Sequence, residues 1–430
     1  MYREDHVTLP PGCAAACGAC PEGPYSLSES LARKRARTER ALTAWKGCIE
    51  DVLSVSADNR LGYRDRTALS ARWDGREGWL FGMEGVRQGV PYPLRFQRPR
   101  PFVSLLDCPV HTPRVREILK ALASGLPPDD PPGTFPLAFV AVSGAQCTLV
   151  FKSKRDPGDG WLFSPDGGTS LASLLERAGL EGLWIHLHPA AGVRLFAKGG
   201  WRLAWGIPRS RDSRGLLYGP GSFSQLLGGL HDRSLAEARE FLRPGPEKAV
   251  LDLYCGTGAS MALWRPSGAA VLGVEAGGES VACGTGMSMV LWRPSGAAVL
   301  GVEAGGESVE CARLNVPGAE VLRGTCADRL PQAEAFLCRF RPEDRLVYAN
   351  PPRTGLEPAV AESLAGRSRP ARLAYLSCSP GTLSRDLSLL EEGGFRVRRL
   401  LPFDFFPRTA GVEVLALLEG PGKRSDVISG

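Results

Sequence analysis

The chain has 430 residues, 43% of them hydrophobic and 23% charged, with a formal net charge of +6. That length predicts two to three domains of roughly 100–200 residues, large enough to build cores without disulfides or metal. No apolar run approaches the roughly 18 residues of a membrane helix, and the polar, acid-containing Met1–Pro11 does not read as a secretion signal.

A cytoplasmic location with no membrane partner is therefore expected. Twelve cysteines without a secretion signal point to metal-binding or catalytic thiols rather than a disulfide framework. The modest positive charge permits a nucleic-acid partner without demanding one.

In chain order, Cys13-x3-Cys17-x2-Cys20 opens the sequence and a helix follows over about Ser28–Trp45. Leu31 and Leu42, with Leu27 just ahead, are expected on its apolar side. Its Arg33, Lys34, Arg35, Arg37 and Arg40 would suit phosphate, or simply a solvated face, with at least equal weight. Short strands are expected next at Thr67–Trp73, Gly78–Met83, Leu137–Val142, Cys147–Phe151, Leu183–Leu187 and Arg202–Ala204. Helices fall near Arg114–Ala123 and Ser170–Ala178.

The character then changes. Ala249–Tyr254, Ala270–Val274, Arg345–Ala349 and Leu373–Ser377 are apolar runs alternating with helical stretches, the pattern of a parallel sheet between helices. Ligands of such sheets sit at the carboxyl ends of the strands. The expected organisation is a cysteine segment and basic helix over 1–50, a strand-rich domain over 51–215 and an α/β domain over 216–430.

Residues 255–282 and 283–310 are tandem copies with a period of 28 residues, differing only at Ala259/Met287, Ala262/Val290 and Ala282/Glu310. A solenoid needs about three repeats or more. Two near-perfect copies inside a sheet indicate a recent duplication or a sequence-assembly error. One copy supplies a complete turn, helix, strand and acid, so the simplest threading uses the first and lets the second bulge out before Cys311–Asn315. The competing threading brings Glu303 into the place of Glu275.

Four motifs carry chemistry. In Leu251-Asp252-Leu253-Tyr254-Cys255-Gly256-Thr257-Gly258 a strand runs into a glycine turn that lets a ligand approach the backbone. Glu275, at the end of the next strand, suits a bidentate contact with ribose hydroxyls. The turn lacks a phosphate-loop Lys-Ser/Thr ending, which disfavours an NTPase. Asn350-Pro351-Pro352-Arg353 is held extended past a strand end. Cys378 follows the strand Leu373–Ser377, where a lone cysteine is more often inert packing than a nucleophile. Glu413 interrupts an apolar strand, at a solvated edge or in a pocket that tunes its pKa.

In this order and spacing, the four motifs resemble the bacterial 5-methyluridine RNA methyltransferase family, particularly its iron–sulfur members acting on 23S ribosomal RNA. The resemblance extends over most of the chain. Gly62-Tyr63-Arg64-Asp65-Arg66, Cys108-Pro109 and Ser222-Phe223-Ser224-Gln225 are similar to further family elements, although Ser224 and Leu227 depart from the Ser-Phe-Phe-Gln-Val-Asn wording.

The resemblance implies a Rossmann-like domain dependent on S-adenosylmethionine, behind an N-terminal iron–sulfur segment and a strand-rich RNA-binding domain. It implies Cys378 as nucleophile toward uracil C6 and Glu413 as the base that removes the C5 proton. Gln225, Tyr254, Gly256, Gly258, Glu275 and Asn350 would hold the cofactor, with Asn350 near cofactor or uracil. Arg353 would stabilise enolate charge or position the thiolate loop. Cys13, Cys17, Cys20 and Cys108 would bind a [4Fe–4S] cluster; spacing alone leaves zinc open. Cys48, Cys147, Cys326 and Cys338 read as interior residues.

The expected partner is RNA, 23S rRNA ahead of tRNA, and the expected state a monomer. A cytosine-C5 methyltransferase fits the Asn-Pro-Pro-Arg and Glu413 pairing less well. A non-catalytic RNA-binding protein, its cofactor pocket spoiled by the repeat, is the alternative of another class.

Overall fold

The computed structural model describes residues 9–86, 100–164, 169–192, 195–197, 199–222, 225–264, 270–275, 299–302, 306–317 and 319–421. Helix α1 spans Leu27–Ala41. Ser26 caps it reciprocally: its hydroxyl accepts from the Glu29 N–H at 3.3 Å, and its own N–H donates to Glu29 Oε2 at 3.0 Å. The face that α1 turns inward is polar, made of Ser30, Lys34 and Thr38, and Leu27 and Leu31 are only half-buried. The expected apolar stripe is thus confined to Leu42, just past the helix.

The cations of α1 serve the fold. Arg33 and Arg37 both bind Glu22, at 2.9 and 2.7 Å, Arg35 binds Glu39 and Asp51, and Lys34 binds Asp404. Each of these four therefore has a carboxylate partner within the fold. Leu42, Trp45 and Ile49 enter the core of the C-terminal domain.

The middle of the chain forms a sheet of seven described strands: β1 (Arg66–Asp74), β2 (Gly78–Glu84), β3 (Phe102–Ser104), β4 (Leu137–Ser143), β5 (Gln146–Phe151), β6 (Gly182–Leu187) and β7 (Trp201–Gly206). Their order is β3-β2-β1-β4-β5-β6-β7. Helices α2 (Pro113–Gly125) and α3 (Leu171–Arg177) cover one side, burying Val115, Ile118, Leu122 and Leu175 against Leu69, Phe81, Val140 and Leu149. A short hairpin, β8 (Ser210–Arg211) and β9 (Leu217–Tyr218), leads onward.

The C-terminal sheet comprises β10 (Ala249–Leu253), β11 (Ala270–Glu275), β12 (Val299–Val302), β13 (Ala319–Arg323), β14 (Arg345–Ala349), β15 (Arg372–Ser377), β16 (Arg396–Phe403) and β17 (Glu413–Glu419). Its order is β12-β13-β11-β10-β14-β15-β17-β16, parallel except for antiparallel β17. Both faces are covered, which is why these strands read as continuous apolar runs rather than alternating ones. On one face α4 (Gly228–Leu242) and α5 (Ala259–Trp264) pack on Val250, Tyr348, Ala374, Leu376, Leu415 and Leu417. On the other, α7 (Leu330–Leu337), α8 (Pro358–Ser363) and α9 (Pro380–Glu392) pack on Leu251, Val347, Leu373 and Tyr375. Helix α6 (Gly306–Asn315) lies between β12 and β13 in the chain.

The duplication is accommodated differently from either simple threading. The repeated strand of the second copy does not bulge out: β12 enters the sheet, pairing with β11 at Val271↔Val299 and with β13. Val321 is opposite both Gly273 and Gly301, and Leu322 opposite both Val274 and Val302. Identical sequences present identical edges, so the two copies compete for one partner in one register. Helix α6 then begins inside the second copy and is held beyond it: Asn315 bonds the Leu217 N–H and C=O and the Thr257 carbonyl.

Candidate active site

The strand β10 ends in a turn with three left-handed residues, Tyr254 (φ 61°), Gly256 (φ 55°) and Gly258 (φ 82°). A Cβ on Gly258 would meet Val316 at 3.2 Å, whereas one on Gly256 would meet no described residue within 4 Å. The turn thus packs tightly at Gly258, and the missing side chains at both glycines let a ligand approach the backbone. The Tyr254 side chain is buried, its hydroxyl accepting from the Glu357 N–H at 3.3 Å. Glu275 is the last residue of β11, the strand beside β10. Asn350 follows β14 on the other side, its N–H donating to the Leu253 carbonyl at 3.2 Å. Glu303 lies outside the described residues.

Asp252, fully buried, accepts from the Trp264 indole at 2.8 Å, and its second oxygen has no hydrogen-bond partner among the described residues. Burial pushes its carboxyl up to about 7, against the opposing pull of Ser260 and Trp264. Because the folded pKa exceeds the unfolded value of about 3.9, the group's contribution to stability is fully present below pH 4 and is lost as pH rises through 7. Asp252→Asn is therefore expected to gain on wild type by about 2 kcal/mol more at pH 8 than at pH 5. Denaturant melts of the cofactor-free protein check this; an advantage equal at both pH values would refute the burial argument.

The loop after β14 is fastened to α9. Asp386 accepts from the Leu356 N–H at 2.9 Å and the Tyr375 hydroxyl at 2.7 Å, and Arg385 donates to the Thr354 carbonyl at 2.9 Å. Gly355 sits at φ 79°, where a Cβ would press on Asp386 at 2.5 Å. This scaffold, which the sequence reading missed, presents Arg353 at the surface.

Cys378 is half-buried in the step from β15 to α9. Burial raises its thiol pKa, the Glu413 charge raises it further, and Arg353 lowers it. Glu413 begins β17, beside β15, and is 2% exposed. Burial pushes its carboxyl up to about 7, opposed by a hydrogen bond from Gln225 and by the charge of Arg353. That bond, Gln225 Nε2 to Glu413 Oε2, is 2.9 Å. Gln225, expected at the cofactor, is thus placed with the carboxylate. Arg353 acts electrostatically on both Cys378 and Glu413, making one site of the three. A cavity of about 390 Å³, lined in part by Ser54, Tyr63, Leu226 and Gly228, opens beside the Gln225 loop.

At the N-terminal segment, burial raises the thiols of Cys13, Cys17 and Cys20, the last to about 11. The charge of Cys108 raises all three further. Among the described residues no group of three or more His, Cys, Asp or Glu side chains is arranged to hold a metal ion. Cys147 and Cys326 are buried and Cys48 half-buried, but Cys338 is exposed, because it stands at the solvent end of α7. Among the described residues no helix is long and apolar enough to cross a membrane.

Comparison with known proteins bears on this site directly. The family model for tRNA (uracil-5-)-methyltransferases matches residues 336–420, which include Arg353, Cys378 and Glu413. The chain is 27% identical to a 23S rRNA (uracil(1939)-C(5))-methyltransferase RlmD of Azoarcus sp., over 98% of this chain and 88% of the relative. It is 25% identical to the protein of that name from Pseudomonas fluorescens, over 97% and 82%. The chain is thus similar to 5-methyluridine RNA methyltransferases over nearly its whole length. An uncharacterized RNA methyltransferase of Thermosynechococcus vestitus is similar at 27% identity, over 95% of this chain and 84% of the relative.

Among solved structures, the tRNA (uracil-54, C5)-methyltransferase of Pyrococcus abyssi, in complex with S-adenosyl-L-homocysteine, superposes with a TM-score of 0.62 at 20% identity. That match covers 94% of this chain and 84% of the other, and it shows a shared fold.

Proposed function

We propose that this chain methylates C5 of a uridine in RNA, with 23S ribosomal RNA as substrate. The observation that carries the reading is the grouping of Cys378, Glu413 and Arg353 at the carboxyl end of the parallel sheet, beside the glycine turn. Gly256, Gly258, Tyr254, Glu275 and Asn350 would hold S-adenosylmethionine, which would supply an electrophilic methyl group.

The residues of the chain do the rest. The Cys378 thiol gives up its proton to solvent, which Arg353 favours and an ionised Glu413 opposes. Its sulfur bonds to uracil C6, moving the 5,6 π electrons onto C5 and O4 as an enolate. Arg353 faces that developing charge. After C5 has taken the methyl group, Glu413 removes the C5 proton, the 5,6 double bond reforms and the C6–sulfur bond breaks. Gln225 keeps the carboxylate aimed while this happens. A pKa near 7 suits a base that must both accept and release a proton at neutral pH.

The charge of Cys108 reaches the thiols of Cys13, Cys17 and Cys20, and a [4Fe–4S] cluster on these four residues is part of the proposal. It takes no part in the steps above. Iron and sulfide analysis of protein purified without air separates this from zinc. A cytoplasmic, monomeric enzyme completes the reading.

Transfer of labelled methyl groups into 23S rRNA and tRNA transcripts, followed by nucleoside analysis, tests the function. 5-Methyluridine is expected in 23S rRNA. Label in tRNA alone would move the substrate, and label in neither RNA would contradict the enzyme reading.

A further inference from the structure

The loop that delivers Glu413 is held by the other end of the chain. Three successive backbone carbonyls accept from residues early in the chain: Phe406 from Lys34 Nζ at 3.1 Å, Pro407 from the Tyr63 hydroxyl at 2.9 Å, and Arg408 from the Glu22 N–H at 2.9 Å. Between this grip and the base stand only Thr409 to Val412. Thr409 closes that stretch locally, donating to the Phe406 carbonyl at 2.9 Å and accepting from the Gly411 N–H at 3.1 Å. Arg408 sits at φ 67°, a left-handed conformation that costs a non-glycine residue and persists only where its surroundings impose it.

At the centre of the grip is a buried ion pair. Lys34 and Asp404 are both fully buried, and the ammonium binds the carboxylate directly. The second Asp404 oxygen accepts from the Ser54 hydroxyl at 3.1 Å, and the Asp404 N–H donates to the Leu53 carbonyl at 2.8 Å. An ion pair taken wholly out of water gains little net stability over apolar residues of the same volume. What it supplies is direction: an ammonium with three donors fixes the carboxylate and the Phe406 carbonyl relative to α1.

We propose that Lys34 is a positioning residue for Glu413, pinning the Asp404–Val412 loop so that the carboxylate meets the proton on C5 of the Cys378 adduct. The inference rests on the function proposed above. It gives the N-terminal segment a part in proton removal, independent of what the cysteines bind. It also explains why the inward face of α1 is polar at Lys34: an apolar residue there would leave the buried Asp404 carboxylate without its counter-charge.

The test separates adduct formation, which needs Cys378, from adduct resolution, which needs Glu413. RNA carrying 5-fluorouridine stays attached to the sulfur, because fluorine at C5 cannot leave as a cation. Lys34→Met is expected to capture that RNA to the wild-type extent and to bind cofactor normally. On natural RNA its turnover should fall at least about tenfold, with covalent adduct accumulating.

Since Lys34→Met leaves Asp404 unpaired and could cost the fold, the double variant Lys34→Met/Asp404→Asn removes both charges and is expected to be equally slow. Tyr63→Phe, which deletes only the hydroxyl on the Pro407 carbonyl, should slow resolution about threefold. A double variant that turns over within twofold of wild type would overturn the proposal, as would equal losses in capture and resolution. Failure of the wild-type protein to capture 5-fluorouridine RNA would instead remove the function on which the proposal stands.

Discussion

Glu413→Gln is expected to stop the protein after methyl transfer, with RNA attached through Cys378. The amide is isosteric and can keep its hydrogen bond to Gln225 after an amide flip, so capture and methylation proceed. It cannot take the C5 proton, and losing a positioned general base costs about 10²–10⁴ in rate. One methyl group per protein molecule should be transferred rapidly, followed by a stall visible as a denaturation-resistant protein–RNA band.

The wild type has a matching pH signature. Burial holds the Glu413 carboxyl at about 7, so the ionised base is present above that value and turnover should rise as pH increases through it. The variant should lose that dependence. Steady turnover by Glu413→Gln within tenfold of wild type, with no stalled band, would remove Glu413 from its role.

The second large effect concerns the repeat. Both copies carry an acid at the end of the duplicated strand, Glu275 and Glu303. Only β11 lies directly beside β10 and its glycine turn; β12 sits on the outer side, against β13 and the start of β11. A carboxylate bridging two ribose hydroxyls must stand next to the turn that holds the rest of the cofactor, so Glu275 is expected to make that contact. Glu275→Ala should weaken S-adenosylmethionine binding by about 10- to 100-fold, the value of charged hydrogen bonds lost. Glu303→Ala should leave binding within twofold. Calorimetric titration decides it, and the reverse pattern would mean that the second copy occupies the functional place.

Much of the C-terminal domain was legible because strands buried on both faces leave unmistakable apolar runs, as at Ala249–Leu253 and Arg372–Ser377. Glu413 was legible for the complementary reason: an acid inside such a run has to be explained. Strand β16, Arg-Val-Arg-Arg in its first half, was hidden because that half is exposed or half-buried and carries solvent-facing cations. Strand β12 was hidden because one copy of the repeat suffices to satisfy the pattern.

Lys34 was invisible among four arginines. Its burial depends on Asp404, 370 positions away, and no local pattern distinguishes a cation that meets a distant carboxylate from one that meets water. Gln225 was assigned to the cofactor by resemblance alone; its contact with Glu413 spans 188 positions and rests on how the Gln225 loop packs against β17.

The most direct measurement is the identity of the atom that bonds to the base. RNA containing 5-fluorouridine, incubated with the protein and S-adenosylmethionine, should yield a digest in which the peptide bearing Cys378 carries a methylated fluorouridine, and none in Cys378→Ser. Attachment at another cysteine, or turnover by Cys378→Ser at the wild-type rate, would contradict covalent catalysis at this site.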